Sequence, residues 1–258
     1  MDFNERVIPD VSANFLYQEA LARYKFAQKY LKPKFKVLDL GCGTGYGTKL
    51  LGEKVPEIIG IDINKEAINF AKKNYPKKAN FRIGNVELLK FKDNYFNLIC
   101  SFEVIEHLKN PQKKYLKEIK RVLKKDGKVI FSTPNKETRS PESEVSSPYH
   151  FREYKYSEFK KLLKKNFSKV EIKGQFRSKR TKKALKSFMN SQKGRQKIVG
   201  FDKLNFRKLI PKKYKEWIWK YVGFFFGRSD QASLNFKNFP IHSQNIKNCE
   251  YFIAICEK

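Results

Sequence analysis

Short apolar runs alternate with stretches of helical period through most of this chain. Residues 13–31 carry apolar side chains at helical spacing and stop ahead of Pro33, which predicts an N-terminal helix. Lys36–Leu40 suits a short buried strand, and the glycines that follow lead into a helix through Leu50. Glu57–Asp62 reads as a second strand, and Asn64 opens a helix that reaches Asn74. Further strands are predicted at Ala79–Ile83, Phe96–Ser101, Gly127–Ser132, Lys169–Lys173 and Tyr251–Cys256, with helices at Gln112–Leu123 and Ser157–Lys165. Strands and helices alternating at this pitch imply an α/β fold, a mostly parallel sheet covered on both faces.

The first strand runs into Asp39-Leu40-Gly41-Cys42-Gly43-Thr44-Gly45-Tyr46-Gly47. Glycine lets a backbone turn through positive φ and approach a ligand without a Cβ, so a strand-to-helix turn of this kind builds a cofactor floor. The dinucleotide spacing G-x-G-x-x-G fails, because Tyr46 or Thr48 falls in its last place. The register that fits is D-x-G-x-G-x-G, and in it the chain resembles the class I S-adenosylmethionine-dependent methyltransferases. That resemblance implies a Rossmann-like fold with a seven-stranded sheet. It also implies that Asp39, Gly41, Gly43 and Gly45 lie under the amino-acid end of the cofactor and that Asp62, closing the second strand, holds the ribose hydroxyls. Ile63 follows Asp62, and Asn85 with Val86 follow the third strand, where the family reads adenine; Ser101 closes the fourth strand beside the same site.

Ligands of open α/β sheets bind beyond the carboxyl ends of the strands, which makes Ser101-Phe102-Glu103-Val104-Ile105-Glu106-His107 the next segment to read. Glu103, Glu106 and His107 stand at i, i+3 and i+4, so one helical turn would point all three to one side. With His150 they compose a set suited to Mg²⁺ or Zn²⁺. Without a metal, His107 suits the general base that takes a proton from a hydroxyl acceptor, with Glu103 beside it. Both readings stand at the level of sequence, beside a purely structural one. The E-x-x-E-H segment with a downstream histidine resembles the metal-dependent O-methyltransferases of quinone biosynthesis and of small-RNA 3′-end methylation. Glu5–Pro9, Ala22-Arg23-Tyr24 and Pro148–Tyr154 are similar to methyltransferases of glycan and natural-product biosynthesis, in which an N-terminal helix closes over the cofactor; Arg23 and Tyr24 are then candidate cofactor contacts, or a solvated arginine and a packing tyrosine.

Composition adds partners rather than chemistry. The 258 residues hold 56 Lys or Arg against 26 Asp or Glu, a net charge of +30 that attracts anionic lipid surfaces and polyanions whatever the substrate. Residues 178–248, read as an insertion before the last strand, hold 18 basic and 3 acidic residues. Within it, 211–227 mixes both tryptophans with lysines and phenylalanines, which suits an acceptor lid, a membrane interface or a base-stacking groove. The organisation expected is an N-terminal cap at 1–35, a core at 36–177, this insertion, and a final core strand at 249–258. Four unpatterned cysteines, no secretory leader and no long apolar run predict a cytoplasmic protein, peripheral to a membrane at most. The reading reached is O-methylation of a small-molecule or glycan hydroxyl, lipid-linked acceptors included. Its alternatives are a metal-dependent RNA methyltransferase and a non-catalytic scaffold of the same fold; no RNA-binding module is recognised.

Overall fold

A computed structural model of the chain describes residues 7–9, 14–77, 79–140, 147–187 and 233–258. The strands are β1 (Lys36–Leu40), β2 (Glu57–Asp62), β3 (Asn80–Ile83), β4 (Phe96–Phe102), β5 (Leu123–Pro134), β6 (Lys169–Gln175), β7 (Ile241–His242) and β8 (Tyr251–Glu257). They form one sheet in the order β3-β2-β1-β4-β5-β8-β6-β7. The first five pair in parallel, while β8 lies antiparallel between β5 and β6. β6 and β8, the last two long strands in the chain, thus pair antiparallel although more than seventy residues separate them. The expected count of seven is exceeded by β7, two residues that pair with Gly174 and Gln175 at the sheet edge.

Helices α1 (Asn14–Ala27), α2 (Tyr46–Gly52), α3 (Lys65–Asn74), α4 (Tyr115–Val122), α5 (Lys136–Arg139) and α6 (Tyr156–Lys164) accompany the strands. Strand parity sorts them between faces. Leu38, Leu40, Val129 and Phe131 pack with Leu116 and Ile119 of α4 and Phe159 and Leu163 of α6, whereas Val37, Ile130 and Ile253 pack with Tyr24 of α1 and Leu51 of α2. Asn64 caps α3 as its sequence suggests, accepting from Ala67 N at 2.8 Å.

The two ends of the proposed insertion that are described, 178–187 and 233–248, fold against α1: Ala184, Leu234 and Phe239 bury themselves with Phe15 and Ala22. The aromatic stretch 211–227 lies outside the described residues. Among the described residues no helix is long and apolar enough to cross a membrane. All four cysteines are buried free thiols, the Cys249 thiol pushed up to about 12 chiefly by its burial.

Candidate active site

The turn between β1 and α2 depends on its glycines. Gly41, Gly43 and Gly45 have φ of 72°, 54° and 82°, the left-handed region in which a side chain is strained. Gly41 N donates to Ile61 O at 2.8 Å, and Gly43 N to Asp62 Oδ2 at 2.9 Å, so the turn is fixed to the carboxyl end of β2. Asp62 also accepts from Asn64 N at 2.8 Å and is buried. Ile63 stands beside it 69% exposed, with Ile83 at 52%, an apolar wall open at the strand ends. Asn85 is exposed, its Oδ1 accepting from Glu87 N, and Val86 packs partly into the core.

Three expected contacts lie elsewhere. Asp39 shares strand parity with Val37, so its side chain points into the α1/α2 face, where it is fully buried and accepts from Thr48 Oγ1 at 2.6 Å and from the Tyr24 hydroxyl at 3.3 Å. Burial raises its carboxyl to about 7, against the opposing hydrogen bonds from Thr48 and Tyr24. From there it ties β1 to α2 through Thr48 and to α1 through Tyr24, below the turn. Tyr24 is a packing residue whose ring fills the space over Gly47. Ser101 is buried too, linking β4 to Leu40 O at 3.4 Å and accepting from the Tyr115 hydroxyl at 2.7 Å.

Arg23 lies over Tyr251, its guanidinium carbon 4.7 Å from the ring centre. It is 6% exposed, donates from Nη1 to Gln175 Oε1 at 3.0 Å, and leaves Nε buried without a hydrogen-bond partner. Burial works against its charge, and Glu103, Tyr251 and Glu19 more than offset this, raising its pKa. The helix that carries it is pinned by Glu19, which receives Arg177 through two bonds of 2.7 and 2.9 Å. Neither Gln175, Arg177 nor Tyr251 was singled out in the sequence; Gln175 and Tyr251 belong to the two strands that flank the insertion and Arg177 lies two residues past the first of them, all far from Glu19 in the chain.

Beyond β4 the expected single helical turn does not form. Glu103 has φ of 55°, which swings the chain left-handed before a short 3₁₀ turn at Ile105–His107. Its carboxylate turns back to accept from Ser132 Oγ at 2.6 Å. The metal-type set is thus three residues and not four: ligand atoms of Glu106, His107 and His150 all lie within 4.8 Å of one another, and Glu103 is outside the group. The two imidazole rings meet edge to face, their centroids 4.8 Å apart. His107 Nδ1 lies 2.9 Å from Tyr149 O, and His150 Nδ1 lies 2.7 Å from Glu153 Oε1. Glu153, three residues after His150, is fixed in turn by Ser140 Oγ at 2.5 Å. Glu106 is fully buried, with Oε2 accepting from Thr133 at 3.1 Å and Oε1 unpartnered. Burial, then the nearby Glu103, hold its carboxyl well above the usual range. A groove of about 880 Å³ between Val55, Lys72, Phe81 and Tyr95 lies at the amino ends of β2 and β3, away from these groups.

Residues 31–193 match the family model described as methyltransferase domain. A probable S-adenosylmethionine-dependent methyltransferase of Mycolicibacterium smegmatis is 35% identical over 136 residues, 52% of each chain. A ubiquinone biosynthesis O-methyltransferase of Pelagibacter ubique is 32% identical over 121 residues, 46% of this chain and 49% of its own. The chain spans about half the length of these curated relatives. A solved S-adenosylmethionine-dependent methyltransferase of Thermotoga maritima, described as a possible histamine N-methyltransferase, superposes with a TM-score of 0.60 over 95% of this chain and 91% of that one. At 16% identity this likeness speaks for the fold alone.

Proposed function

The chain belongs to the methyltransferase-domain family, and from that premise we propose that it moves the methyl group of S-adenosylmethionine onto a hydroxyl of a small molecule or glycan, lipid-linked acceptors included, with His107 taking the hydroxyl proton. The site fits the cofactor on two counts. The turn runs through positive φ at Gly41, Gly43 and Gly45, and the Nε of Arg23 is buried without a partner, a donor that an amino-acid carboxylate would complete. Asp62 would receive the ribose hydroxyls, and Ile63, Asn85 and Val86 would border the adenine. Bound there, S-adenosylmethionine supplies an electrophilic methyl group.

The observation that carries the reading is the 2.9 Å contact between His107 Nδ1 and Tyr149 O. A carbonyl oxygen only accepts, so in the neutral ring the proton sits on Nδ1 toward Tyr149 O and the lone pair is on Nε2. An imidazole in that state accepts the proton of a hydroxyl as its oxygen attacks in line. Similarity to a ubiquinone biosynthesis O-methyltransferase supports an oxygen acceptor. The net charge of +30 supports work near an anionic membrane surface. His107→Ala is expected to lower turnover by about 10²-fold or more while leaving S-adenosylmethionine affinity intact; unchanged turnover removes His107 from the mechanism.

One observation favours a second reading. Both imidazoles have Nδ1 held by an oxygen, the way ligating histidines are oriented, and Glu106 Oε1 beside them lacks a partner. Glu106, His107 and His150 would hold a divalent ion, which would acidify the acceptor hydroxyl in place of a base. Turnover lost to a chelator and restored by Mg²⁺ or Zn²⁺ selects this reading, and the RNA acceptor with it if turnover also falls steeply with salt.

A further inference from the structure

Arg121, Arg152 and Arg177 each hold a carboxylate: Glu118 with Asp93, Glu158, and Glu19. Among the described residues Arg139 holds none. It ends α5, just past the carboxyl end of β5, with its guanidinium carbon 5.2 Å from the centre of the Tyr251 ring. Its Nε is shut off from solvent and has no hydrogen-bond partner. The ring accounts for where the guanidinium lies, since an aromatic face attracts a cation. It does not account for the orphaned donor, because a buried N–H without an acceptor is costly, and more so when it belongs to a charged group. Arg23 repeats the arrangement 4.7 Å from the same ring, but Glu103 and Glu19 answer its charge.

The position of α5 ties this donor to the site. Ser140, the next residue, holds Glu153, and Glu153 holds His150 of the histidine pair. Asn135, which caps α5, is itself fixed by bonds to Lys247 O and Cys249 O, both at 2.9 Å, so the short helix is a rigid part of the rim.

We propose that Arg139 binds an oxyanion, carboxylate or phosphoryl, carried by the methyl acceptor, so that the acceptor is an anionic hydroxyl compound held at one end by Arg139 and at its hydroxyl by His107. The inference rests on the acceptor reading above and adds the substrate class to it. A planar fork that donates two parallel hydrogen bonds matches either oxyanion, and a lysine ammonium does not reproduce it.

The test uses the full chain, saturated with S-adenosylhomocysteine and labelled at arginine Nε, titrated with acetate and separately with methyl phosphate, the ionic strength being held constant with sodium chloride. The Arg139 resonance, identified by its loss in Arg139→Gln, is expected to shift saturably with one of the two anions, and that anion names the acceptor group. Calorimetry is expected to show that anion bound roughly tenfold more weakly by Arg139→Gln, with S-adenosylhomocysteine affinity kept within about twofold. Arg139→Lys is expected to recover only part of the loss. If neither anion moves the resonance beyond the chloride control, or if Arg139→Gln binds the anion as well as the parent, the proposal is overturned. A chain that takes no S-adenosylhomocysteine overturns the cofactor reading instead, and the same titration of the unloaded chain still decides the role of Arg139.

Discussion

Asp39→Asn separates a positioning role from a ligand role at the foot of the glycine turn. The Asp39 carboxyl is fully buried and raised from 3.8 to about 7, mainly by that burial. Its folded-state pKa therefore lies above the unfolded one. As pH rises from about 4 to about 7, the unfolded chain gives up a proton that the folded chain keeps, so stability falls over that window. A rise of this size corresponds to about 4 kcal/mol, lost in full above about pH 8. Asparagine fills the same volume and carries no charge, but it offers one acceptor oxygen where Thr48 and Tyr24 now use two, a cost of about 1 kcal/mol at every pH. The variant is thus expected to be about 1 kcal/mol less stable than the parent near pH 4 and about 3 kcal/mol more stable near pH 8. Urea unfolding of both proteins across that range measures it, and groups common to both cancel in the difference. A difference that stays constant with pH would refute the account of Asp39.

Other expectations follow from the same geometry. Glu19→Ala removes both short bonds to the buried Arg177 guanidinium and leaves it only Glu250 at 4.0 Å, so it should cost up to about 3–5 kcal/mol in thermal or urea unfolding, with Arg177→Met added to it recovering a large part. A Cβ on Gly47 would lie inside the Tyr24 ring, so Gly47→Ala should destabilise by about 1–3 kcal/mol and displace the tyrosine from Asp39, readable as a changed tyrosine absorption. Asp62→Ala removes the acceptor proposed for the ribose and should weaken S-adenosylmethionine roughly tenfold to hundredfold by calorimetry; unchanged affinity would move the cofactor away from β2.

Much of this was legible in the chain, for reasons that can be stated residue by residue. β1, β2, β4, β5 and β8 announced themselves through short apolar runs, β3 and β6 only through alternating apolar positions, and Asn64 marked its helix by a cap that the structure retains. β7 gave no signal, since two residues carry no period. The parity that buries Asp39 was present in Val37-Leu38-Asp39-Leu40, but proximity to the glycines outweighed it. Glu103 misled because the i, i+3, i+4 argument assumes a helix, and nothing in a non-glycine residue warns of a φ of 55°. Arg139 and Tyr251 are over a hundred positions apart, and only the pairing of β5 with β8 brings them together.

The most direct test of the central claim is transfer of labelled methyl from S-adenosylmethionine into an extract of the source cells, with and without a chelator, followed by identification of the labelled atom. The account predicts label on an oxygen of a lipid, glycan or small molecule, lost with His107→Ala and surviving chelation. Label confined to RNA and abolished by the chelator, or label on nitrogen, would contradict it.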